Sequence, residues 1–222
     1  TGSNIVLDTS SNAFSNSVEM RADDGSEAFG NITFVDSAAV DLDSSASANG
    51  DLFINASTDG AVGGNLSVTA TTGNITQNTA LTITGTTTLV TSADNATITL
   101  NTTTNAFTGA LLITTNDSDG TDADVTIDGG TTALNIGAST IDGDLTVLDG
   151  NSSGITDSGN VTVAGNLVAT TDANNGVIDL GTTTVTGTMD LTSHGSGDVT
   201  IDNATTDIVL IASEIGGNLT LT

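Results

Sequence analysis

The sequence predicts an all-β chain wound into a parallel β-solenoid, and three observations lead there. First, a short phrase, Gly-(Asn/Asp)-aliphatic-x-aliphatic, recurs along the chain, as in Gly64-Asn65-Leu66-Ser67-Val68 and Gly143-Asp144-Leu145-Thr146-Val147. Each copy is a turn pair followed by a strand two or three residues long with alternate side chains apolar. Such a strand buries almost nothing alone, so the copies must stack on one another. Second, the 36% of hydrophobic residues are dominated by Ala, Val, Ile and Leu, with 2% aromatics, no Trp, no Tyr and five Phe. Large rings bury much of a globular core, whereas thin coils have little room for them. Third, no apolar stripe persists at i, i+3, i+4, and the abundant Thr, Gly, Val and Ile disfavour helix. Pro is absent, so no strand lacks a ladder donor.

One solenoid segment is expected over 1–222, less regular over 1–49 and regular over 50–222. In the first part, short apolar stretches at Ile5–Leu7, Val18–Met20, 32–35 and 39–42 sit among Ser, Asn and Asp, with one copy of the phrase at Gly30-Asn31-Ile32-Thr33-Phe34. The pattern tightens from Gly50-Asp51-Leu52-Phe53-Ile54 onward. Units of period two follow at 66–68, 81–83, Ile98–Leu100, 111–113, 125–127, Leu134–Ile136, 145–147 and Val161–Val163. The last ones are Ile178–Leu180, 189–191, Val199–Ile201, 208–210 and Leu219–Leu221. Turn residues separate them, which reads as all-β. Inward positions are Leu66, Val68, Leu81, Ile83, Leu145, Val147, Val161, Val163, Val199, Ile201, Leu219 and Leu221. Three units per coil of ~20 residues give roughly 9–11 coils and a rod about 45–55 Å long. A β-sandwich is the alternative, but its strands run about 5–6 residues and the units here are shorter. A disordered polar tract would not place Leu-x-Val after Gly-Asn so regularly.

The stretch Gly63-Gly64-Asn65-Leu66-Ser67-Val68-Thr69-Ala70-Thr71-Thr72-Gly73-Asn74-Ile75-Thr76 resembles the repeats of filamentous-haemagglutinin-type exoproteins, and Gly216-Gly217-Asn218-Leu219-Thr220-Leu221-Thr222 is similar to them. The resemblance covers roughly 50–222 and more loosely 1–49. It implies a right-handed parallel β-helix used in bacterial surface adhesion and matrix building. The chain departs from those adhesins in having almost no Lys or Arg.

Charge narrows the partners. One basic residue, Arg21, stands against 27 acids, for a formal net charge of −26. Without Lys/Arg clusters neither nucleic acid nor an anionic membrane surface is a partner. The expected partners are copies of itself or adjacent repeats of the same chain, with divalent cations screening the repulsion. The acids also keep a β-rich surface in solution. There is no Cys, which rules out disulfides and thiolate metal sites. No apolar run approaches the ~20 residues that span a bilayer as a helix. The chain starts at Thr1 and stops inside a copy of the phrase at Thr222, so we read it as part of a longer chain or filament.

The densest acidic segment holds Asp117, Asp119, Asp122, Asp124 and, nearby, Asp128, a candidate Ca²⁺ site because hard cations take six to eight oxygens. It fails the EF-hand pattern, since Asp122 stands where Gly is needed and Asp128 where Glu is needed. A solvated acidic turn is the competing reading. A weaker cluster, Asp23-Asp24-Gly25-Ser26-Glu27, lies beside Arg21. His194, the only histidine, sits in a Gly/Ser loop with no Cys and no Gly-x-Ser-x-Gly elbow, so it reads as an exposed loop residue. The threonine runs, such as Thr86-Thr87-Thr88 and Thr182-Thr183-Thr184, read as solvent-side strand formers rather than an ice-binding rank.

The expected function is structural: an extracellular, surface-exposed fibre, sheath or stalk built by end-to-end stacking of coils, with no enzymatic activity and no catalytic residues. The self-assembly edges are Ile5 and Leu7 at one end and Leu219 and Leu221 at the other. The alternative is a Ca²⁺- or glycan-binding surface module on the same scaffold.

Overall fold

The computed structural model describes residues 3–14, 18–20, 22, 30–43, 52–54, 63–118, 120 and 122–222. Among them it is all-β, with 24 strands and no helix. Named strands pair in parallel, each with a strand of the coil before or after it. The expected parallel β-solenoid is therefore the fold, and the sandwich alternative is not. A regular turn is three strands: Leu66–Ala70, Ile75–Gln77 and Thr82–Ile83, after which Thr87–Thr91 returns to lie on the first. About seven such turns are completed, from Leu66–Ala70 to Leu219–Leu221, with Ile5–Leu7 and Ile32–Asp36 stacked before them in the same sheet; nine to eleven coils are expected over 1–222. Successive coils are offset by 20 to 27 residues from Leu66 onward and by 27 and 34 where Ile5–Leu7, Ile32–Asp36 and Leu66–Ala70 stack.

At the N-terminal side Ile5–Leu7 pairs with Ile32–Asp36, which pairs with Leu66–Ala70. On the second face Leu52–Ile54 lies between Val18–Met20 and Val40–Asp43, out of chain order. The remainder of the phrase copy at Gly50 lies outside the described residues, apart from that strand. Farther along, Leu111–Thr114 feeds two strands, Leu111 pairing with Ile136 and Thr114 with Thr140. Leu134–Ile136 and Ser139–Ile141 then continue as separate columns. The expected unit at 208–210 forms only an isolated bridge between Met189 and Leu210.

Period two decides which side chains point in. Leu66, Val68, Leu81, Ile83, Leu145, Val147, Val161, Val163, Val199 and Ile201 are all buried, as expected. Like stacks on like: Val125 on Leu145 on Leu167, and Ile127 on Val147 on Ala169. Leu219 and Leu221 are the exceptions at 42% exposed. They share register with buried Val199 and Ile201, but no described strand lies over them. Thr87 and Thr183 correct a second expectation, since both are buried rather than solvent-facing.

The recurring Gly-(Asn/Asp) pair has two physical jobs. The Asn or Asp side chain accepts the backbone N–H at the corresponding corner of the next coil. Asn4 Oδ1 accepts from Asn31, Asn31 Oδ1 from Asn65, and Asn65 Oδ1 from Thr86, each at 2.9 Å. The column at Asp124, Asp144 and Asn166 works the same way. These bonds satisfy corner amides that the strand ladders leave over. The Gly lets one coil cross the next, and a Cβ at Gly64 would lie 2.1 Å from the Gly30 carbonyl oxygen. Gly64→Ala is therefore expected to lower stability by about 2–3 kcal/mol, because two backbones must separate. Gly181→Ala, where an added Cβ meets nothing within 4 Å, is expected to stay within about 0.5 kcal/mol. Urea denaturation compares them, and equal midpoints would show that the crossings tolerate a side chain.

Candidate functional site

Two places in this scaffold carry chemistry: the acidic corners between strands and the uncovered coil at the C-terminal end. The acidic segment turns the chain from Leu111–Thr114 into Val125–Asp128. Asp119 lies outside the described residues, as do Arg21 and the cluster at 23–27. Asp117 Oδ2 accepts the N–H of Asp122 at 2.9 Å, and Asp117 donates its own N–H to Asp142 Oδ2 at 3.2 Å. Asp124 Oδ1 accepts the N–H of Asp144 at 2.8 Å. In the coil before, Asp94 accepts from the Asn116 amide and from the N–H and hydroxyl of Ser118. These carboxylates are engaged in holding turns and joining coils. Asp128 is not with them: it ends the strand that Asp124 precedes, and it is buried. Among the described residues no group of three His, Cys, Asp or Glu side chains is placed to hold a metal ion. His194 is exposed at the end of Met189–His194. It donates from Nδ1 to the Thr171 carbonyl at 2.6 Å, which ties two coils together.

Sequence reasoning missed Asp149 and grouped Asp128 with the acidic segment, and these two are the carboxyls shifted most. Asp149 takes the third inward position after Leu145 and Val147, at 0% exposure. Asp128 ends the strand of the coil below. Burial pushes the Asp149 carboxyl up to about 7. The Asn151 N–H and, more weakly, the Gly150 N–H pull it the other way, and the charges of Asp128 and Asp172 add to the rise. Asp128 is raised as well, chiefly by burial, against the Gly130 N–H that its Oδ1 accepts at 2.8 Å. Withdrawal from water penalises the charged form, and like charges nearby add to that penalty. For Asp149 the signal was present in the sequence, because an Asp on the inward parity of a Leu-x-Val strand is buried by the same rule as its neighbours; Asp128 follows inward Ile127 and is off that parity, so alternation does not mark it.

At the C-terminal end Leu219–Leu221 pairs with Val199–Ile201, and no described strand pairs with its other edge. Val209 and Ile211 on the same turn are 48% and 47% exposed. One column is closed there. The Asn203 amide takes the Val185 N–H on Oδ1 at 2.7 Å and donates to the Val185 carbonyl at 3.1 Å, standing in for a strand. At the opposite end Ile5–Leu7 is the outermost described strand of its sheet, with Val6 exposed.

The family described as repeats of unknown function (DUF5649) matches residues 29–114 and 122–181. No curated protein and no solved structure matches the chain. The matched residues run through the regular coils and take in most of the stacked corners described above. With more than half of its length matched, the chain belongs to the DUF5649 repeat family.

Proposed function

We propose that this chain is a structural, adhesive segment of an extracellular fibre, sheath or stalk, extended by stacking of coils end to end, and that it is not an enzyme. One observation carries the reading. Leu219 and Leu221 sit in the register of the inward columns, over Val199 and Ile201, and are 42% exposed. A strand with one unpaired edge and uncovered core side chains takes up another strand. The occupant is a further coil of the same kind, either from a neighbouring copy or from repeats of the same polypeptide. A neighbouring copy would offer Ile5–Leu7, setting Ile5 over Leu219 and Leu7 over Leu221. The Asn4 N–H would then fall to Asn218, as the Asn31 N–H falls to Asn4. This head-to-tail contact propagates without closing. The likeness to filamentous-haemagglutinin-type repeats supports the surface location, and cations would screen the charge of −26 between neighbouring rods.

Sedimentation velocity over a concentration series, with negative-stain imaging, tests the contact between copies. The wild type is expected to form species longer than one copy, favoured by salt. Leu219→Asp with Leu221→Asp is expected to leave monomers, because two charges would enter the apolar columns. Wild-type protein that stays monomeric at every concentration and ionic strength would reject stacking between copies.

A further inference from the structure

We propose that the corner formed by Asp128 and Asp149 is a proton-operated latch on the coil stack, closed when Asp149 carries a proton and loosened when it ionises. The two residues end neighbouring strands of one face, Val125–Asp128 and Leu145–Asp149. Asp149 is 0% exposed. Its Oδ2 accepts the Asn151 N–H at 3.3 Å, while its Oδ1 is buried with no hydrogen-bond partner. That orphan oxygen is pressed on the coil below, 3.0 Å from where a Cβ on Gly129 would stand.

The charges facing it are of one sign. From the coil below comes Asp128, whose Oδ1 is already taken by the Gly130 N–H. From the coil above comes Asp172, the next residue after buried Thr171. One coil further, the His194 ring is bonded to the Thr171 carbonyl and not to a carboxylate. The only Lys or Arg in the chain is Arg21, outside the described residues. An ionised carboxylate with an unmatched lone pair in a dry stack is costly, and a proton is the smallest species that removes the charge.

The sign follows. In the fold Asp149 holds its proton up to about pH 7, against an ordinary value of 3.8. Between those values the folded chain binds more proton than the unfolded one. The stabilisation is complete below the ordinary carboxylate range and is lost as pH rises toward 7. The bonds at stake join these coils at the corner: Gly129 N–H to the Leu148 carbonyl at 2.8 Å and Gly150 N–H to the Gly130 carbonyl at 2.7 Å. Ionisation sets Asp149 against Asp128 across those bonds, with Asp172 adding repulsion from the coil above.

The experiment compares wild type, Asp149→Asn and Asp179→Asn, the last removing the same charge from an exposed position. Between pH 8.5 and 5.5 wild type and Asp179→Asn are expected to gain about 4–8 °C in Tm more than Asp149→Asn gains. Hydrogen exchange at Gly129 and Gly150, corrected for the intrinsic pH effect, is expected to speed up at pH 8.5 in wild type and Asp179→Asn but not in Asp149→Asn. Asp149→Asn following the pH dependence of Asp179→Asn would overturn the latch. Should Asp149→Asn fail to fold, ¹³C titration of the wild-type Asp carboxyls decides. A carboxyl titrating near neutral pH, with the Gly129 and Gly150 amides moving at the same midpoint, supports the latch. No carboxyl titrating above about pH 6 rejects it.

Discussion

Val147→Asp is expected to cost about 4–5 kcal/mol, the largest loss from any single change considered, and to leave the chain largely unfolded at moderate temperature. Val147 is fully buried, with Ile127 against it from the coil below and Ala169 from the coil above. A carboxylate there loses its hydration and gains no cation, since the only Lys or Arg in the sequence is Arg21. Thr146→Asp, one residue away on the outward parity, is expected to change stability by less than about 1 kcal/mol. Chemical denaturation of the pair measures the difference. Similar midpoints would show that the inward column is misassigned.

Asn105→Ala is expected to cost about 3–4 kcal/mol, because its amide joins three coils in the interior. Its Oδ1 accepts from the Gln77 amide at 2.7 Å and from the Leu81 N–H at 2.9 Å, both in the coil before. Its Nδ2 donates to Gln77 Oε1, to the Leu100 carbonyl and to the Asp128 carbonyl in the coil after. Alanine leaves those groups buried without partners and opens a cavity beside Leu81 and Leu100. Asn101→Ala, exposed in the same coil, is expected to fall within about 0.5 kcal/mol. Thermal melts of both variants check this, and equal melting temperatures would mean that water replaces the amide at no cost.

Asn105 and Val147 differ in how readily the sequence shows their roles. Val147 stands in Gly143-Asp144-Leu145-Thr146-Val147, where alternation alone marks it as inward. Asn105 follows Thr102-Thr103-Thr104 and looks like any other polar turn residue. Its burial arises because Gln77 and Asp128 arrive from other coils, 28 and 23 residues away. Thr87 shows the same limit. It belongs to a run of three threonines, and it points inward because Leu66 and Leu111 flank it in register. The acidic segment at 117–128 shows the reverse case, in which residues close in sequence are parted by the strand between them. Asp124 precedes Val125–Asp128 and serves the coil corner, while Asp128 at its far end is buried.

The class of fold and the inward parity of its strands can be read directly from the sequence. Both depend on alternation within three to five residues and on the Gly-(Asn/Asp) turn, which are local and repeat in every coil. The tertiary structure alone decided the number of turns, the division of one face at Leu111–Thr114, the partners of Asn105 and the environment of Asp149. Each of these depends on which residue of the next coil lies overhead, 20 to 35 positions away. Coil lengths in this chain vary enough that counting residues does not predict it. Leu219 marks the boundary between the two: alternation correctly turns it into the core column over Val199, and only the stack shows that no described strand covers it, which leaves it 42% exposed.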